Sequence, residues 1–314
     1  MKPLFIIRVL VLYMIAMNTL LFPSPGKGIR IVGHSKHSSL NWTNTEILVQ
    51  GYPEIFAINT SGHILMKYNL TGRIVTNPAW SPNYQDIACI QRANDYGYSP
   101  SLGIWIVDRN GRHWRKLDSG NDRNPSWSPD SKRLAFVRRE AGKKYLLCLI
   151  KVKSGQRITI WNDSHLIADP VWSPDGKRLL FTSSRSGYKQ LWLISLSGGD
   201  LVLLPGQPAG PCMKPNWCWA SDRIVFMLSQ DDEDVFPAVL YTISPNGSRR
   251  KRLPIKNVMI LNVVWSPDGQ RLAFTRAVTT HSCALWISHA NGSHLKWIYP
   301  DDPEGYHADT YLSW

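Results

Sequence analysis

The sequence predicts an all-β chain folded as a β-propeller of six four-stranded antiparallel blades, and three observations carry that expectation. A motif built around Trp-Ser-Pro-Asp-Gly recurs at intervals of 45 to 48 residues. Its 14 Trp, 21 Pro and 22 Gly are set among short apolar runs, as many short strands divided by turns require. No long amphipathic stretch of period 3.6 follows the first 25 residues.

The repeat is clearest at Asp169-Pro170-Val171-Trp172-Ser173-Pro174-Asp175-Gly176-Lys177-Arg178-Leu179-Leu180-Phe181, with close copies starting from Trp80, Trp127 and Trp265. A decayed copy keeps Trp217 at the Trp172 position and Arg223 at the Arg178 position. Each copy is followed by an apolar pair and then a Gly: Ile104-Trp105 to Gly111, Leu191-Trp192 to Gly198, Leu240-Tyr241 to Gly247 and Leu285-Trp286 to Gly292. Leu147-Cys148 to Gly155 is one residue longer.

The elements of a blade follow from this chemistry. Pro-x-Trp-Ser is a short first strand, ended by Pro-Asp-Gly, where Pro presets one turn dihedral and Gly accepts the positive one. Arg-Leu-Ala-Phe alternates as a second strand, the Leu-Trp segment is a third, and Asn-Gly or Ser-Gly turns it tightly into a fourth. Trp80, Trp127, Trp172, Trp217 and Trp265, with Trp105, Trp192 and Trp286, recur at two fixed phases and are expected to form the core of the repeat. Cys89 and Cys148 stand where other repeats place Phe or Trp, so they are expected to act as small buried hydrophobes. Five cysteines at irregular spacing make no disulfide framework; whether Cys212 and Cys218 pair across a loop is left open.

At the amino end, Glu46 to Gln50, Ile55 to Ile58 and His63 to Tyr68 supply only the second, third and fourth strands of a blade. At the carboxyl end, Ala308-Asp309-Thr310-Tyr311-Leu312-Ser313 aligns with Ala168 to Ser173, which sets Leu312 at the Trp172 position. The last strand is therefore expected to complete the first blade and close the ring, removing exposed sheet edges.

Residues 1–26 read as an export signal or amino-terminal membrane anchor, with Lys2 and Arg8 ahead of the apolar run Val9 to Phe22. Residues 27–45 read as a linker and 46–314 as the propeller. This organisation implies an exported chain, periplasmic or extracellular, whose first segment engages the membrane at least transiently.

Trp-Ser-Pro-Asp-Gly-Lys-Arg-Leu, followed about 20 residues later by Leu-Trp and a Gly turn, resembles the TolB-like propeller repeat, also called the PD40 or WD40-like repeat. The resemblance covers roughly residues 46–314. It implies a periplasmic protein-binding scaffold, although similar propellers also front prolyl oligopeptidase and dipeptidyl peptidase enzymes. With a short stretch, residues 27–45, between the export signal and the first strand, the α/β domain that precedes the TolB propeller is not expected.

No Gly-x-Ser-x-Gly, His-Glu-x-x-His or Cys-x-x-Cys occurs, so no catalytic residue, metal ligand or cofactor motif is singled out. The acidic run Asp231 to Asp234 lacks the alternating spacing of a calcium loop and reads as a solvated hairpin tip. A net charge of +13 favours anionic neighbours, but the cations are spread over nearly every repeat, a distribution that does not select nucleic acid. The second-to-third hairpins and the interblade connections share one face of the ring. That loop face carries Arg92, Tyr96, Tyr98, Arg138, Arg139, Arg185, Tyr188 and Arg276, the candidate contacts for a protein or peptide partner, acidic in character, or for an anionic glycan. Two other expectations stay open: a surface polysaccharide or solute-binding module, and a cryptic hydrolase or lyase at the channel mouth.

Overall fold

The computed structural model describes residues 46–51, 54–68, 72–93, 100–198, 200–229, 238–255, 259–277, 283–299 and 312–314. The export segment, Tyr96, Tyr98 and the acidic run at 231–234 lie outside the described residues.

The described strands form six antiparallel sheets of four. The first blade contributes β1 (Glu46–Gly51), β2 (Glu54–Asn59) and β3 (Ile64–Tyr68). The second holds β4 (Ile74–Trp80), β5 (Asp86–Arg92), β6 (Ser101–Asp108) and β7 (Arg115–Lys116). The third holds β8 (Asp122–Trp127), β9 (Arg133–Glu140), β10 (Lys144–Lys151) and β11 (Arg157–Asp163). The fourth runs through β12 (Ile167–Trp172), β13 (Arg178–Ser183), β14 (Gln190–Ser195) and β15 (Leu201–Leu203). The fifth is β16 (Cys212–Trp217), β17 (Ile224–Ser229), β18 (Ala238–Ile243) and β19 (Lys251–Arg252). The sixth is β20 (Ile260–Trp265), β21 (Arg271–Ala277), β22 (Cys283–His289) and β23 (Lys296–Tyr299). Finally β24 (Leu312–Ser313) pairs with β1 and completes the first blade.

Each first-to-second hairpin is tied by its own side chains. Ser173 is fully buried; its hydroxyl accepts the Arg178 N–H at 2.9 Å and donates to Asp175 at 2.5 Å. That bond and the Lys177 N–H hold the Asp175 carboxyl below the usual carboxylate range. Ser128 with Asp130 and Ser266 with Asp268 repeat the arrangement. Ser-Pro-Asp-Gly is thus a turn in which a buried Ser hydroxyl is satisfied by its own neighbours, including an exposed Asp.

The apolar core is divided into clusters, each between neighbouring blades. Trp80, Trp127, Trp172, Trp217 and Trp265 are buried. An Arg six residues after the Trp of one blade lies over the Trp of the next: Arg133 on Trp172 at 4.6 Å, Arg178 on Trp217 at 5.1 Å, and Arg223 on Trp265 at 4.8 Å. The recurring Arg therefore couples adjacent blades.

Three expectations are refined. Trp105, Trp192 and Trp286 are only half-buried and form an outer layer, roofed by Arg73, Arg185 and Arg276 respectively. Cys212 and Cys218 are free thiols in separate clusters, the first facing blade four and the second blade six, so the sheet of blade five divides them. The closing strand is shifted by two residues from the expected alignment. Leu48 pairs with Ser313 and Val49 with Leu312, which carries Trp314, not Leu312, to the repeat position opposite Ile47. Arg271 lies over Trp314 at 5.3 Å, as the other Arg residues lie over theirs. A two-residue slip keeps the same side chains facing inwards, so alternation alone does not fix the register; filling the Trp-sized site does.

Candidate functional site

The first strands line the central channel, and those of blades two to five each carry a bulge three residues before the repeat Trp. Register shifts fall at Asn77-Pro78, Asn124-Pro125, Asp169-Pro170 and Lys214-Pro215. Asn77, Asn124, Asp169 and Lys214 have φ of 54°, 52°, 49° and 51°, a left-handed conformation that Asn and Asp tolerate best. The bulge breaks the ladder and re-aims these side chains. Asn262 stands at the same phase in blade six, where no Pro follows.

These residues join in a polar belt. Asp169 accepts hydrogen bonds from Asn124 and from the Lys214 ammonium through the same carboxylate oxygen, each at 2.9 Å. Arg92 donates to Thr76 at 3.2 Å, Thr76 donates to Asn77 at 3.1 Å, and the Asn77 N–H donates to Gln50 at 2.9 Å. The belt lines two spaces, with Asn77, Asn124, Asp169 and Lys214 bordering both. Towards the turn face is a cavity of about 160 Å³ bounded by Trp80, Trp127, Trp219 and Trp265. Towards the loop face is a mouth of about 210 Å³, lined by Arg92, Arg123, Lys189 and Lys214 with Leu166, Thr182 and Met213. Asp169 is the acidic residue among the described lining residues of that mouth. Both spaces are below the roughly 300–1,000 Å³ of small-molecule pockets. They suit a side chain or a narrow extended segment.

Of the residues singled out in the sequence, Arg92 reaches the mouth. Arg138 does not present itself to solvent: its guanidinium bonds Asp122 at 2.7 Å and 2.9 Å, pairs with Asp118 at 3.0 Å and donates to the Ser119 carbonyl. Gly120 is needed beside it, since a Cβ there would stand 2.6 Å from that guanidinium. Arg185 lies between Trp161 and Trp192 at 5.4 and 5.0 Å, and Arg276 lies over Trp286. Arg139 and Tyr188 are exposed on the loop face. Arg123, Lys189 and Lys214 escaped notice in the sequence. For Arg123 and Lys214 the signal was available in the repeat, because they stand four and three residues before a repeat Trp.

The remaining reactive groups are turned to structure. Burial pushes the thiols of Cys89 and Cys212 up to about 12 and that of Cys148 up to about 11, so they stay protonated. His113 pairs with Asp108, and His165 with Asp163, each within its own turn. Among the described residues no group of three or more His, Cys, Asp or Glu is placed to hold a metal.

A six-bladed ring closed by its last strand, with a polar belt in the channel, defines a propeller of the repeat-built class. The family model for the TolB β-propeller domain, PD40, matches residues 72–236, and the chain belongs to that family. No curated protein sequence matches the chain significantly. Among solved structures, TolB from Acinetobacter baumannii superposes with a TM-score of 0.69 at 18% identity, covering 86% of this chain and 66% of that one. A putative TolB from Agrobacterium tumefaciens gives 0.63 at 19% identity, covering 79% and 88%. A puromycin hydrolase gives 0.56 at 16%, covering 81% of this chain and only 43% of the hydrolase. At these identities the superpositions establish the fold.

Proposed function

We propose that this chain is an exported, non-catalytic propeller whose loop face binds a protein or peptide partner, taking an acidic segment of that partner at the channel mouth. The observation that carries this reading is the convergence of Arg92, Arg123, Lys189 and Lys214 around an opening whose described lining includes one carboxylate, Asp169. Among the described lining residues Asp169 is bridged to Asn124 and Lys214, and the other charged groups are cations, a surround that attracts a carboxylate. The described lining has no aromatic ring on which a sugar could stack, which favours a peptide over a glycan. Export is supported by the basic start and apolar run of the first 22 residues.

The test is a titration of the full chain with a fluorescein-labelled oligoglutamate peptide. The double variant Arg92→Glu with Lys189→Glu should weaken binding at least about tenfold, since charge reversal at a contact costs a kcal/mol or more. Lys177→Glu, in a turn at the other end of the ring, should leave it unchanged. Equal loss from both, or loss only from Lys177→Glu, would show that the mouth is not the site.

A further inference from the structure

The turn face carries a second basic feature, distant in role from the channel. A groove of about 1,020 Å³ lies between the outer edge of blade two and the turns of blade three. It is lined by Arg115 from β7, Lys132 from the turn before β9, Arg133 at the start of β9, Lys151 at the end of β10 and Lys153 from the third-to-fourth turn. Against these five cations the lining offers one carboxylate, Asp130. Asp130 is occupied by the Ser128 hydroxyl and the Lys132 N–H, bonds that help hold its carboxyl below the usual range. Arg133 is half-buried over Trp172, whereas Arg115, Lys132, Lys151 and Lys153 are exposed on the rim, Lys151 donating to Gln156.

The chemistry of the groove narrows its ligand. Its described lining holds no aromatic side chain on which a nucleobase or a sugar ring could stack. The recognition it offers is of anionic oxygens by ammonium groups on flexible stems, which suits a diffuse layer of anionic headgroups. Chain direction adds a second argument. β1 starts at Glu46 on this same face, where Arg109 of the turn after β6 pairs with Glu46 at 3.7 Å. The chain thus enters the propeller at the turn face, after 45 residues whose first 22 hold the basic and apolar run.

We propose that this groove is a docking surface for the anionic phospholipid headgroups of a membrane, so that the turn face lies against the bilayer and the loop face points away from it. Each Lys or Arg close to an anionic membrane is worth about a fivefold gain in affinity, and the gain is screened by salt.

The experiment is co-sedimentation of the full chain with vesicles of phosphatidylcholine alone and of phosphatidylcholine containing one quarter phosphatidylglycerol. The quantity read is the extra binding that phosphatidylglycerol confers, which cancels any uptake through the apolar run. The wild type should show that increment, and molar salt should remove it. Lys132→Glu with Lys153→Glu should abolish it, while Lys143→Glu with Lys144→Glu, the same charge change at the opposite end of blade three, should keep it. Circular dichroism and a melting curve confirm that both double variants fold; should the first misfold, Lys132→Gln with Lys153→Gln, expected to lower the increment by at least about tenfold, takes its place. No increment in the wild type, or an increment that survives loss of Lys132 and Lys153, overturns the proposal. So does loss of oligoglutamate binding in that variant with vesicle binding intact, which would make the groove a peptide site.

Discussion

Trp314 offers the sharpest test of how the ring closes. It is 7% exposed and packs with Ile47, Val49, Phe56 and Ile58 of the first blade and with Val264, Ala273 and Leu285 of the sixth. Trp314→Ala removes the indole from this cluster and leaves a void that the surrounding β-sheets cannot close. Truncation of a buried Trp costs about 3–5 kcal/mol, and loss of the Arg271 stack adds about 0.5–1 kcal/mol. The expected destabilisation is therefore about 3.5–6 kcal/mol, close to that of Trp172→Ala, which loses the equivalent indole under Arg133 and its hydrogen bond to the Ser126 carbonyl. The assay is urea unfolding followed by tryptophan fluorescence, with Leu312→Ala measured alongside. Leu312→Ala should cost about 2–3 kcal/mol, within the usual range for a buried Leu. If Trp314→Ala costs less than Leu312→Ala, the repeat position belongs to Leu312 and β24 pairs with β1 two residues away from the Val49–Leu312 register.

Other consequences follow from the buried polar groups. Arg138→Met strands the Asp122 carboxylate, which is fully buried, and should cost about 3–5 kcal/mol by chemical denaturation, whereas exposed Arg139→Met should stay within about 0.5 kcal/mol. Ser173→Ala leaves the Arg178 N–H without its acceptor and should cost about 1–3 kcal/mol; an unchanged melting temperature would mean that water replaces the hydroxyl. Burial raises the Glu46 carboxyl from 4.5 to about 6, only partly offset by Arg109. A folded state that holds its proton to higher pH loses stability as pH rises from 4.5 through 6, here by about 2 kcal/mol. Unfolding free energies measured across that window should show the fall in the wild type and a flatter profile in Glu46→Gln; identical slopes would assign the fall to other groups.

The sequence by itself determined the blades. Trp, Pro-Asp-Gly and a second Gly turn recur at a period that a four-stranded sheet consumes, and each is a local requirement: a Trp-sized interblade site, a turn with fixed dihedrals, a tight hairpin. Ring closure was legible too, because the first blade lacked one strand and the last residues supplied one. What only tertiary structure decided were matters of which side chains meet. A slip of two residues leaves the inward pattern of β24 intact, so choosing Trp314 over Leu312 needed the shape of the site between blades six and one. Arg138 reads as a loop-face cation until the turn before β8 brings Asp118 and Asp122 to it. Arg123 and Lys214 stand 91 residues apart in sequence, and only the ring turns their strands towards one channel mouth. Local conformation repeats with the chain, whereas a site in a propeller is assembled across blades, where one residue per repeat acquires its neighbours through closure of the ring.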